Sequence, residues 1–270
     1  MRLKIYGCRG SAAFSRKSQY GGNTSCMVLE YGTGVIILDA GSGLMQYDVD
    51  LRKTLSSYPN NLPFKPNILI GHLHLDHIIG LTGFAPIWAK DSTTRIFTNT
   101  RDDRPLAEQI FGVFTPPYWP AHMASVSYAE CVAITGAFKV DGFTVTPFLA
   151  VHPDDTLCFH ITDGYKSVVH LLDYEIPPEG EPAELLEYCN NADLVIFDAA
   201  YSQEDYKEKR GWGHSTVEHG IKLADKSGCK RMVFAHYGQE YSDDDLDKLK
   251  EIISDDNRFI FAYEGMQIDI

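Results

Sequence analysis

The sequence predicts a layered α/β fold, and three observations predict it. Apolar runs of strand length alternate with segments of helix length in both halves of the chain. Glycines and prolines punctuate the joints, with no linker-like or low-complexity stretch. An imidazole or a carboxylate repeatedly follows the last apolar residue of a strand, and strand C-termini are where sites gather in layered α/β proteins. At 270 residues the length allows one large α/β domain or two small ones, 44% hydrophobic content is enough for a real core, and with no linker-like stretch residues 1–270 read as a single domain.

The first strand is expected at 2–6, followed by the loop Gly7-Cys8-Arg9-Gly10-Ser11. A second glycine-rich loop, Tyr20-Gly21-Gly22-Asn23-Thr24-Ser25, is not a phosphate loop, because no Gly-Lys-Ser/Thr follows it. Residues 26–31 and 35–38 read as a hairpin across Gly32-Thr33-Gly34. Asp39-Ala40-Gly41-Ser42-Gly43 closes that strand and opens a helix running to about residue 57. Asp39 either caps this helix or accepts hydrogen bonds from a neighbouring loop. A buried strand at 67–70, a short helix at 78–81 and a strand at 94–98 come next. Residues 101–130 read as an irregular, proline-rich region. Its aromatics, in Phe114-Thr115-Pro116-Pro117-Tyr118-Trp119-Pro120, either roof a pocket or pack as an ordinary loop. His122 lies among them and is not expected to be a ligand. Helices are expected at 183–191, 215–227 and 243–253, and a last strand at 259–263.

The net charge is −13, and no basic run interrupts it. A long nucleic acid calls for a basic surface, so the balance argues for a small substrate. No apolar run approaches a transmembrane span. Residues 1–6 lead straight into strand-like sequence, so no secretory leader is expected. The six cysteines are scattered without a C-x-x-C pair, which fits reduced thiols in the cytoplasm.

The most informative stretch is Gly71-His72-Leu73-His74-Leu75-Asp76-His77. In extended chain His72 and His74 point to one side. If the chain then turns, Asp76 and His77 face the same point from another direction. Neutral imidazole and carboxylate are ligands that Zn²⁺, Mn²⁺ and Fe²⁺ accept, and the stretch can hold two such cations. Four more strand-like runs end in residues of the same kind: 143–151 at His152, 167–172 at Asp173, 194–197 at Asp198 and 231–235 at His236. Five such ends fit one convergent site.

His-x-His-x-Asp-His resembles the signature of the metallo-β-lactamase-fold hydrolases, and the likeness runs from about Tyr6 to the end of the chain. Gly211-Trp212-Gly213-His214-Ser215-Thr216 resembles a segment of the phosphodiesterase and ribonuclease Z-like branch. The resemblance implies a four-layer αββα sandwich and a dinuclear divalent metal centre, Zn²⁺ in the first place, with Mn²⁺ or Fe²⁺ as alternatives. It assigns His72, His74 and His152 to one ion, Asp76, His77 and His236 to the other, and Asp173 to both. It gives Asp76 the orienting of the nucleophile, and Asp39 support from behind the ligands. It makes His214, paired with Asp198, a non-ligand proton donor to the leaving group. His160, His170 and His219 are left with structural places.

Two departures stand out. Ala235-His236-Tyr237-Gly238 replaces the Thr-His segment typical of ribonuclease Z, and no Gly/Pro-rich basic arm fits between His152 and Asp173. The expected activity is therefore hydrolysis of a small phosphodiester, such as a cyclic nucleotide, in the cytoplasm and away from membranes. The rivals are a ribonuclease Z-type tRNA 3′-endonuclease, a carboxylic ester or lactam hydrolase, and a binding protein on a disabled enzyme fold. Monomer and homodimer are both left open by these residues.

Overall fold

The structure is a computed structural model and describes residues 1–15, 17–56, 65–90, 94–253 and 255–270. The first half runs β1 (Arg2–Gly7), β2 (Cys26–Tyr31), β3 (Gly34–Leu38), α1 (Gly43–Ser56), β4 (Asn67–Leu69), α2 (Leu75–Ile78), β5 (Arg95–Thr98), α3 (Leu106–Phe111), α4 (Met123–Val126) and β6 (Glu130–Ala133). The second runs β7 (Phe138–Val140), β8 (Phe143–Leu149), β9 (Leu157–Thr162), β10 (Ser167–Leu171), α5 (Ala183–Cys189), β11 (Leu194–Asp198), α6 (Gln203–Lys209), α7 (Val217–Ser227), β12 (Met232–Ala235), α8 (Asp243–Glu251), β13 (Phe259–Phe261) and β14 (Gln267–Asp269).

Among the described residues these strands form two seven-stranded sheets, ordered β14-β1-β2-β3-β4-β5-β6 and β13-β12-β11-β10-β9-β8-β7. Side-chain alternation along the strands decides the layering. On β2, Met27 and Leu29 join Val145, Phe159 and Val169 of the second sheet in one core between the sheets. Cys26 and Val28 face the other way and pack with Leu44, Tyr47 and Leu51, one stripe of α1. On the far side of the second sheet, Leu223 and Ala224 of α7 and Leu246 and Leu249 of α8 bury against it. The order is helix, sheet, sheet, helix: the four-layer metallo-β-lactamase fold that the family resemblance implies.

The helix caps follow local chemistry. Thr216 accepts the His219 amide at the start of α7, and Gly228 ends that helix in the left-handed region at φ 67°. Gly220 lets α7 lie close to its sheet, because a Cβ there would sit 2.4 Å from the Phe234 ring.

Several boundaries differ from expectation. The short helix begins at Leu75 rather than 78 and continues as a 3₁₀ turn over Ile79–Gly83, so Asp76 and His77 lie within it. Strand β8 stops at Leu149, and His152 stands on the loop beyond. Helix α7 starts at Val217, with Ser215 and Thr216 still extended or capping. The expected end of the first helix at residue 57 lies outside the described residues. Residues 101–130 contain α3 and α4, whose apolar residues Ile110, Phe111 and Met123 are buried. The short strands β6, β7 and β14 and helix α6 were not anticipated, whereas β9 carries the strand-like run expected around His160.

Candidate metal centre

The strand ends converge at one edge of the sandwich. After β4 the chain passes Gly71, presents His72 and His74, and enters α2 with Asp76 and His77. The second half brings His152 after β8, Asp173 after β10, Asp198 as the last residue of β11 and His236 after β12. Asp39, Asp173 and His236, each just past a strand, hold left-handed backbone at φ 60°, 56° and 65°. Such a conformation costs a non-glycine residue about 1 kcal/mol or more, and it turns each chain sharply at the site.

The contacts fall into two sets. The Nε2 atoms of His77 and His236 lie 3.3 Å apart. Asp76 Oδ2 is 3.3 and 3.4 Å from them, and Asp173 Oδ2 is 3.1 and 3.5 Å from them. Donors held tetrahedrally around a cation at about 2.0–2.2 Å stand about 3.3–3.6 Å apart, so this set fits one. On the other side His72, His74 and His152 gather their ring nitrogens within 4.8 Å of one another. Asp173 turns its second oxygen there, with Oδ1 3.8 Å from both His72 Nε2 and His152 Nε2. Both ring nitrogens of His72 are buried without a hydrogen-bond partner, so the one facing the cluster is open to an ion. Burial pushes His72 and His152 below the ordinary imidazole range, against the pull of Asp173, and leaves them as neutral donors. His77 and His236 move the other way: burial lowers them, but Asp173 and the neighbouring carboxylates raise them further. These histidines and carboxylates can hold a metal.

A buried frame positions them. Asp39 Oδ2 is 3.0 Å from His77 Nδ1, and Asp39 accepts from the Ser25 hydroxyl and the Gly71 amide. It stands four residues before α1 and supports the histidine loop rather than capping the helix. Its other neighbour is buried His170, at 3.5 Å. Ser11 donates its amide to Asp76 Oδ2 at 2.7 Å. Gly10 is the floor under His236, since a Cβ there would meet the ring at 2.7 Å.

His214 sits beside the cluster. Its Nδ1 is 2.8 Å from Asp198 Oδ2 and 4.0 Å from Asp173 Oδ1. Asp198 is fully buried and also accepts from the amides of Asp173, Ala200 and Ser215, with His236 Nδ1 3.3 Å away. Burial opposes its charge, but His214 and His236 overcome that and draw its pKa down to about 2. His214 is raised: burial lowers it, and the Asp198 carboxylate more than compensates.

A cavity of about 460 Å³ opens over these residues, lined by His74, His152, His214 and His236 and, further out, Tyr201 and Trp212. No residue of 101–130 lines it, so those aromatics are not its roof. His122 pairs with Thr115 instead, and His219 packs against Tyr206.

The family assignment follows from this frame. The model for the beta-lactamase superfamily domain matches residues 35–237, from β3 to just past His236. The chain belongs to the beta-lactamase superfamily. Ribonuclease Z 1 of Schizosaccharomyces pombe is 22% identical over 258 residues, covering 87% of this chain and 30% of that protein. The chain thus spans about a third of the length of the first curated relatives it matches. The solved metallo-β-lactamase-fold protein YhfI from Bacillus subtilis superposes with a TM-score of 0.70 at 20% identity, over 99% of this chain and 98% of that one. A diphosphatase from the PhnP family does so with a TM-score of 0.69 at 16% identity, over 100% and 97%. Its fold is that of these solved metallo-β-lactamase-fold structures, and the curated relatives it resembles carry the ribonuclease Z name.

Some site residues had no signal in the sequence. Asp154 reaches His74 Nε2 at 2.6 Å, and the Thr156 hydroxyl lies 3.0 Å from His152 Nδ1. Glu175 is buried and takes the amides of Gly211 and Gly213.

Proposed function

We propose that the chain is a dinuclear metal-dependent phosphodiesterase acting on a small phosphodiester, a cyclic nucleotide among the candidates. His72, His74 and His152 would hold one divalent ion and Asp76, His77 and His236 a second, with one Asp173 oxygen for each. Imidazole and carboxylate suit Zn²⁺ first, then Mn²⁺ or Fe²⁺. When bound, such a pair supplies Lewis acidity toward phosphoryl oxygens and lowers the pKa of a water toward neutrality. Asp76, steadied by the Ser11 amide, has the role of orienting that water.

The observation that carries this reading is the His214–Asp198 pair, 2.8 Å apart beside the cluster. Asp198 fixes the proton on Nδ1 and favours the charged ring, so Nε2 has a proton for the departing alkoxide. Seven metal ligands alone would serve ester or lactam hydrolysis as well. A poor alkoxide leaving group is what calls for the added acid.

A ribonuclease Z-type tRNA 3′-endonuclease is the second reading, favoured by the names of the curated relatives. Three features favour the small substrate. The net charge is −13. The segment from His152 to Asp173 is taken up by β9 and β10, leaving no arm. Lys209 is the one lysine or arginine among the described residues lining the cavity, and it is paired with Glu240. The six free cysteines suit a reducing cytoplasm. Metal-loaded protein should hydrolyse a cyclic nucleotide or a dinucleotide and leave precursor tRNA largely intact. Efficient removal of tRNA 3′ trailers at physiological salt would reverse the two readings.

A further inference from the structure

We propose that Trp212 forms a stacking subsite beside His214 for a nucleobase carried on the leaving group, with the buried Tyr201 as part of the wall behind it, an inference that rests on the phosphodiesterase reading. Single exposed apolar side chains are common on any protein, so the 60% exposure of Trp212 is not by itself informative. What sets Trp212 apart is its backbone. The flanking Gly211 and Gly213 hold φ angles of +87° and +91°. Both donate their amides to the Glu175 carboxylate, Gly211 at 2.8 and 3.0 Å and Gly213 at 2.9 Å. Glu175 is only 6% exposed and is itself held by the Tyr206 hydroxyl at 2.9 Å. On the other side the loop abuts the cluster, because a Cβ on Gly213 would fall 2.1 Å from His152 Cδ2. The indole is therefore displayed in the cavity wall from a clamped loop, and a partner stacking on it finds the backbone already ordered.

The rest of the wall selects the partner. The Tyr201 ring meets His214 edge-on, 5.5 Å between centroids at 88°. Lys209 Nζ lies 4.5 Å from the Tyr201 centroid and is paired with Glu240, which neutralises it. This side of the cavity thus offers one exposed aromatic face, the Trp212 indole, backed by the buried Tyr201, and little net charge. It suits a flat, uncharged aromatic group better than a second phosphate or a flexible polar chain. Because His214 protonates the leaving oxygen, the group beside it belongs to the leaving alcohol, which makes that alcohol a nucleoside.

The test uses the metal-loaded full chain with Trp212→Ala and Trp212→Phe. Two phosphodiesters are compared, one with a nucleoside leaving group and one with glycerol in its place. Trp212→Ala should raise KM for the nucleoside ester on the order of ten- to a hundredfold more than for the glycerol ester, the usual value of one stacked base. Trp212→Phe should recover most of that difference. Free adenosine, which needs no hydrolysis, should quench the wild-type tryptophan fluorescence saturably, and Trp212→Phe should abolish the quenching. Equal losses on both esters, or quenching unchanged in Trp212→Phe, would overturn the subsite. If neither ester is cleaved while the Trp212-dependent quenching persists, the subsite stands and the phosphodiesterase reading falls.

Discussion

At His214 a proton donor matters in proportion to how badly the leaving group needs a proton. An aryl phosphodiester expels a stable phenolate and needs little help, whereas a nucleoside alkoxide needs much. His214→Ala should lose rate modestly on the aryl ester and about 10²–10⁴-fold on the nucleoside ester, with metal content unchanged. Equal losses on the two would assign His214 to phosphate binding instead. Asp198→Asn has a wider reach than an orienting residue alone would have. Asp198 also accepts three backbone amides and stands 3.3 Å from His236 Nδ1, so the substitution should lower metal content as well as rate. Gly213→Ala should disturb both folding and metal binding, since residue 213 holds φ +91° and its methyl group would be driven into the His152 ring. Metal analysis and thermal melts of one preparation separate those two effects. The candidate ligands were legible as residues because imidazoles and carboxylates rarely recur at strand ends without cause. Glu175 and Asp154 were not, because an acidic residue in a loop looks the same whether it faces solvent or a buried amide.

The strands of the second sheet are tied together where they begin. Asp193, just before β11, takes the Lys166 and Lys230 ammonium groups at 2.9 and 2.8 Å and the Ser167 amide at 3.0 Å. Burial opposes its charge, but the two lysines and that amide draw its pKa from 3.8 down to about 2. A carboxylate depressed in the folded state stabilises above its unfolded pKa, and the contribution disappears as pH falls through the folded value. Asp193→Asn should therefore lower the melting temperature at neutral pH and flatten the loss of stability between about pH 4 and 2. An unaltered acid limb would mean that the lysines are equally well satisfied by water. In α8, Ser242 and Asp245 form a reciprocal cap, and Ser242→Ala should cost about 1 kcal/mol in a denaturant titration. Elements with strong local signals, such as the β2–β3 hairpin, α1 and α7, were readable from sequence. Strands β6, β7 and β14 were not, being short or partly polar and held mainly by their neighbours in the sheets. Likewise α2 starts before its apolar run, because Asp76 and His77 spend their polarity on the site rather than on solvent.

Across the whole molecule, the candidate ligands come from both halves: His72, His74, Asp76 and His77 from the first, His152, Asp173 and His236 from the second. A bound ion would tie together the ends of both sheets, so metal and fold should be thermodynamically linked. Chelation should lower the melting temperature by several degrees, and re-addition of Zn²⁺ should restore it. Asp173→Ala should remove more metal than any other single ligand substitution and abolish most of that shift. A melting temperature indifferent to chelator would leave the dinuclear reading without support. The layer order came from the family resemblance, with which the alternation of strand-length and helix-length segments agrees; the pairing of distant strands was not legible, since no local pattern records it. The most distant pairing is β1 with β14, where Leu3 sits opposite Ile268 and the amide of Ile270 reaches the carbonyl of Met1. During folding, then, β1 must wait with one row of amides and carbonyls unclaimed until residues more than two hundred positions away arrive. Closing so long a loop is slow, and an open strand edge accepts any extended chain that reaches it first. Refolding should accordingly be lost to aggregation as protein concentration rises, and a short peptide copying residues 266–270, supplied in excess, should compete for the same edge.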